Sequence, residues 1–136
     1  MNKGVFWLLP AAIVCLSACS ETSGPTNSHN LINHPVKTNA PNSFTYTVSA
    51  ENFSDNSEDP LSFASDTLVV TLTCMNYVSG QAVISVRDSL GGVVFADTVR
   101  TNKTTTSSQG KTTKPKSCSI TTSALTGKIV FTLSGK

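Results

Sequence analysis

Histidine and charge are both scarce in this chain. Its two histidines, His29 and His34, lie close to the start, and none follows residue 34. That excludes a Ser-His-Asp or Cys-His nucleophilic centre built within the later part of the chain. Only 13% of residues are charged and the net charge is +2, so no electrostatic pull toward nucleic acid is expected. The single tryptophan is Trp7, and Tyr46 and Tyr77 are the only tyrosines, so bases and sugars have few aromatic faces to stack on. Helix formers are too sparse for a helical domain, and no segment repeats its apolar residues at the helical period. The longest apolar stretch, residues 4–16, is interrupted by Pro10 and falls short of the roughly 20 residues a membrane-spanning helix needs.

What is present begins with three zones of a leader. Lys3 supplies positive charge, the stretch around Phe6, Trp7, Leu8, Leu9, Ile13 and Val14 supplies an apolar segment, and Leu16-Ser17-Ala18-Cys19 closes it. Those last four residues resemble the lipobox of bacterial lipoproteins. The resemblance implies that residues 1–18 are a cleaved signal peptide and that Cys19 carries a diacylglycerol thioether and an acylated amino group. Several acyl chains together hold a protein stably to a membrane, each buried methylene adding about 0.8 kcal/mol. Cys15 leaves with the leader, because Ile13-Val14 before it lacks the small residue the signal peptidase needs. Ser20 after the lipidated cysteine, in place of Asp, resembles the lipoproteins sorted to the outer membrane. The expected location is the cell envelope, facing the periplasm or the surface.

Residues 19–42 read as the lipidated terminus and a tether. Ser, Thr, Asn, Gly and Pro dominate, with Pro25, Pro35 and Pro41 spaced through it, and too little is apolar to offset the entropy of ordering. Both histidines sit here and read as solvated. From residue 43 to 136 the apolar period becomes two. Phe44, Tyr46 and Val48 alternate with polar residues, as do Leu68, Val70, Leu72 and Cys74, then Ala82, Ile84 and Val86, then Ile129, Phe131 and Leu133. Turn chemistry at Ser79-Gly80, Gly91-Gly92 and Thr126-Gly127 separates the runs. Residues 82–99 read as a hairpin turning at 89–92, with weaker strands near 61–63 and 117–121. The expected fold is all-β: six or seven short strands in a small antiparallel β-sandwich that resembles the immunoglobulin-like architecture, with a small closed barrel as the alternative.

Cys74 and Cys118 are the cysteines that remain in the domain, and export to an oxidising compartment predicts a disulfide between them. Closing a loop of this length stabilises by ~4 kcal/mol on the chain-entropy view. Among the acidic residues, Asp55, Ser57, Asp59 and Asp66 fall at EF-hand spacing. However, Pro60 occupies the position where that loop requires glycine, so an EF-hand is excluded. A looser calcium site from Glu51, Asp55, Glu58 and Asp59 is the functional reading of this segment, and a solvated inter-strand loop is the plain one. Ser108 to Lys111 matches the Ser-x-x-Lys pattern of penicillin-recognising enzymes, but without a helical start or a larger domain the match is a coincidence. Arg100, Lys103, Lys111, Lys114 and Lys116 gather in one polar stretch, suited to anionic headgroups or a partner protein, or simply solvated. Asp66-Thr67-Leu68, Asp88-Ser89-Leu90 and Asp97-Thr98-Val99 resemble acceptors of Bacteroidetes-type O-glycosylation.

No segment implies a cofactor or an enzyme. The sequence therefore predicts a membrane-anchored envelope lipoprotein that acts as a non-catalytic binding or structural module, with an envelope protein or glycan as partner. The alternative is an inhibitor of a host or competitor enzyme, as in lysozyme-inhibitor lipoproteins. Those carry a Ser-Gly-x-x-Tyr loop, and here Ser79-Gly80-Gln81-Ala82-Val83 has Val at the tyrosine position.

Overall fold

A computed structural model describes residues 31–110 and 114–136. Six antiparallel strands run in order: β1 Val36–Ala40, β2 Ser43–Pro60, β3 Leu68–Asp88, β4 Val93–Val99, β5 Lys103–Gln109 and β6 Pro115–Gly135. Strands β2, β3 and β6 are 18, 21 and 21 residues long, far above the usual five or six. Each turns a corner midway, and each then runs on with the same neighbour.

Two layers result. The first holds β1, then β2, β6 and β3 on one side of the corner, then β5. The second holds the other halves of β2, β6 and β3, then β4. Period-two patterning gives each layer one apolar face. Phe44, Tyr46, Leu68, Val70, Leu72, Ile129, Phe131 and Leu133 from the first meet Ala82, Ile84, Val86, Phe95, Val99, Cys118 and Ile120 from the second in one core. Phe95 of β4 stacks on Phe131 of β6 across the layers, with ring centroids 6.0 Å apart. The protein is thus a small all-β sandwich, and its sheet is not closed into a barrel.

The corner explains why the strand boundaries differ from the expected ones. Ser79-Gly80 and Thr126-Gly127 do not separate strands; they are bends inside β3 and β6. Left-handed backbone clusters at the bends: Asn52 in β2, Asn76 and Gly80 in β3, Ala124 and Gly127 in β6. The ladder shifts register there, and side chains take over its released N–H groups. Asn52 N–H donates to Thr126 Oγ1 and Asp55 N–H to Thr122 Oγ1, both at 2.9 Å. Ala124 N–H donates to Ser54 Oγ and Tyr77 N–H to Asn102 Oδ1, both at 2.8 Å. Buried backbone groups must be paired, and at this corner hydroxyls and amides pair them.

Other expectations shift as well. Residues 36–40, read as tether, form β1 against β2, joined by a tight turn at Pro41-Asn42. Ahead of β1, Asn33 clamps the β2 backbone, its amide accepting from Glu51 N–H at 2.8 Å and donating to Glu51 C=O at 2.9 Å. Residues 61–63 are not a strand, although Leu61 and Phe63 are buried. Much of the polar stretch after residue 100 is β5. The hairpin 82–99 forms as expected, closed by Asp88, which accepts from Leu90 and Gly92 N–H at 2.8 Å each.

Two substitutions test the corner. Thr122 is buried, and Thr122→Val keeps its shape while leaving Asp55 N–H without an acceptor, so unfolding free energy should fall by about 1–3 kcal/mol. A side chain at Gly80 would collide with the Ala124 carbonyl and hold a positive φ. Gly80→Ala should therefore cost about 1–3 kcal/mol from backbone strain alone. Urea denaturation followed by circular dichroism measures both.

Candidate functional site

The corner also shapes a concavity. A cleft of about 350 Å³ is lined by Ile32, Ser49, Ala50, Glu51, Asn76, Thr126, Gly127 and Lys128. Its floor is the bent backbone of β2 and β6, and Ile32 enters through a parallel bridge to Ser49. Gly127 leaves room for the backbone of Met75 to Tyr77, which a Cβ there would crowd. Glu51 and Lys128 give the cleft one carboxylate and one ammonium, and no thiol or imidazole lines it. Such a lining can hold a small polar or amphiphilic group.

The two flanks of the sandwich are closed by ion pairs between layers. On one flank, Lys37 of β1 reaches Asp59 of β2 at 2.8 Å and Ser57 Oγ at 2.9 Å, with its ammonium 6.0 Å from the Tyr46 ring centroid. On the other, Lys103 of β5 meets Asp97 of β4 at 2.6 Å. All four side chains are partly exposed, so each pair contributes under about 1 kcal/mol. Their main effect is to cover the edge of the core with satisfied charge.

The acidic segment is not a loop. Residues 51–60 are the second half of β2, where Asp55, Ser57 and Asp59 point to one side and Glu58 to the other. Glu51 lies before the bulge, in the corner cleft. Strand alternation therefore splits the four expected calcium ligands, and Lys37 already holds Asp59. Among the described residues no three His, Cys, Asp or Glu side chains gather as a metal would require.

The expected Cys74–Cys118 disulfide is not formed; both are free, buried thiols. Cys74 sits beside the corner in the first layer, opposite Ile129, while Cys118 lies up the second layer opposite Val86. The strand rise separates their levels by about 15 Å, and a disulfide needs Cα atoms within about 7 Å. Burial pushes the Cys118 thiol up to about 12, with Asp59 adding to the rise and Lys37 opposing it. Cys74 is raised by burial, against Lys103. Burial, then Asp55 and Asp59, push the Tyr46 phenol to about 12.

The remaining sequence candidates scatter. The basic residues divide: Arg100 and Lys103 stand near the corner, with Arg100 donating to Gln81 at 2.7 and 2.9 Å, whereas Lys114 precedes β6 and Lys116 lies at its start, at the opposite end. Ser108 is in β5. Tyr77 packs against the core and donates to Gly80 C=O at 2.9 Å. Ser79-Gly80-Gln81 lies in the bend of β3 rather than in a projecting loop. Of the glycosylation-like triplets, Ser89 is exposed at the tip of the hairpin turn and Thr98 faces outward on β4. Cys19, His29 and Lys111 lie outside the described residues. The corner cleft itself carried no sequence signal beyond Gly127, because its lining comes from four separated segments. Compared with known proteins, the chain matches no family model and no curated sequence.

The thiols give a direct test. Native protein should leave Ellman's reagent unreacted, while denatured protein should react. Below pH 9 both states keep Cys118 protonated and nothing is lost. Between about 9 and 12 the unfolded thiol ionises and the folded one does not, so stability should fall steadily across that window, with Tyr46 adding above 10. Urea midpoints measured against pH should show this decline, and Cys118→Ala should flatten its lower part.

Proposed function

We propose that this protein is a lipid-anchored lipoprotein of the bacterial envelope whose sandwich domain serves as a non-catalytic binding or structural module. The observation that carries this reading is Leu16-Ser17-Ala18-Cys19 behind a charged and apolar leader. Lipidation at Cys19 attaches the domain to the membrane, and Ser20 favours the outer membrane where the bacterium has two. The organisation downstream supports the reading, since a short polar segment leads into a compact β-domain that presents loops, strand edges and hydroxyl-rich faces. Ser and Thr side chains line much of the first layer's outer side, with Thr38, Thr45, Thr132, Thr71 and Thr106 in register across five strands. Such an uncharged face suits contact with an envelope protein or glycan through hydrogen bonds rather than through charge. The domain has no histidine after residue 34 to activate a serine or cysteine, which favours binding over catalysis.

The test is metabolic labelling with radioactive palmitate. The wild-type chain should take up label and partition into detergent, and Cys19→Ala should do neither. Continued labelling of the variant would overturn the assignment of the anchor.

A further inference from the structure

We infer that the corner end of the sandwich rests on the membrane surface, so that Leu31, Ile32, Met75 and Val78 sit in the phospholipid headgroup layer and the opposite end projects away. This rests on the lipid anchor proposed at Cys19. The direction of the chain supplies the first argument. β1 runs from the corner toward the open end, since Val36 pairs with Thr47 and Ala40 with Ser43. The described chain therefore begins at the corner, where Ile32 bridges Ser49 and Asn33 clamps Glu51. Residues 20–30 separate this point from Cys19, a span of at most about 40 Å fully extended. Each layer rises about 25 Å from corner to open end. Placing the open end on the membrane would stretch that segment over most of its reach, whereas placing the corner there leaves it slack.

The surface of the corner supplies the second argument. Val78 is 72% exposed, Leu31 56%, Met75 40% and Ile32 38%, while of the other exposed large apolar side chains among the described residues Val36 and Val83 stand singly on strands and Leu90 and Val93 flank the hairpin turn at the far end. Ile32, Ser49, Lys128 and Met75 form one continuous row across the sheet, so Lys128 stands between Ser49 and the apolar Met75, with Ile32 one strand further on. An ammonium on an apolar stem suits this boundary, its methylenes among lipid and its charge among phosphates. The other charged groups at this end are Glu51 in the cleft, Asp55 opposite Thr122, Arg100 bonded to Gln81, and Lys103 paired with Asp97. With Lys128 these groups balance, so the apolar side chains and the anchor rather than net charge carry the contact. The anchor keeps the domain at a high effective concentration near the bilayer, so a weak patch suffices to orient it. The loops at 41–42, 61–67 and 89–92 then face away from the membrane, with Leu90 exposed at the far tip.

The experiment uses the full-length, lipidated protein in vesicles that contain nitroxide-headgroup phospholipid. An environment-sensitive fluorophore is attached to Val78→Cys in one sample and to Leu90→Cys in another, the two native domain thiols being buried. The corner probe should shift to the blue and lose emission to the nitroxide, while the tip probe should do neither. A Met75→Asp, Ile32→Asp variant, still lipidated and folded, should release the corner probe. Equal quenching at both positions, or stronger quenching at Leu90→Cys, overturns the orientation. So does a concentration-dependent shift of the corner probe in detergent without vesicles, which would mark the patch as a contact between copies. Palmitate labelling is measured on the same samples. Labelled protein without quenching overturns this inference alone, and absence of label overturns the anchor and the orientation together.

Discussion

Three strands of this protein turn the same corner, and every backbone group released there has to find a partner. The interior of a sandwich has no water to offer, and an orphaned N–H costs about as much as several good contacts contribute. The protein meets this constraint with Thr122, Thr126, Ser54 and Asn102, each accepting one N–H that the shifted ladder can no longer serve. Left-handed residues on all three strands bring the chain around at one level. The two layers are consequently one sheet folded over, and their faces meet along the whole length of the core. Part of the abundance of Ser and Thr follows from this requirement.

The same corner organises what lies around it. The strands diverge where they bend, which opens the cleft between Ser49, Asn76 and Lys128. The chain joins the sheet there, and Asn33 substitutes for a strand residue by exchanging two hydrogen bonds with Glu51. Along the two flanks of the sandwich, one lysine from each edge of the first layer crosses to an aspartate of the second. Those pairs are modest in energy. They show how a sandwich that is not closed into a barrel keeps water from the sides of its core.

Sequence reasoning succeeded where the physics is local. Alternation in residues 43–49, 68–74, 82–86 and 129–133 identified the inward faces, and the hairpin at 89–92 was legible from its paired glycines. It failed where a local signal has two tertiary outcomes. Glycine with positive φ closes a hairpin or bends a continuous strand, and nothing near Gly80 or Gly127 distinguishes the two. The acidic run resembled a loop because charge and proline are rare in strands, yet Asp55 and Asp59 sit at a partly covered flank where a strand tolerates them. The expected disulfide followed from compartment and cysteine count, and neither quantity knows about register. The corner cleft was invisible because its residues are adjacent only after folding.

By itself the sequence determined the all-β class and the identity of most core residues, because periodicity is carried by neighbours along the chain. Only the tertiary structure decided that three strands serve both layers, that Cys74 and Cys118 stand apart, and that residues 31–40 belong to the domain. Those outcomes depend on which distant segments share a ladder and in what register. That is settled by the simultaneous need to bury two apolar faces and to pair every backbone group at the bend.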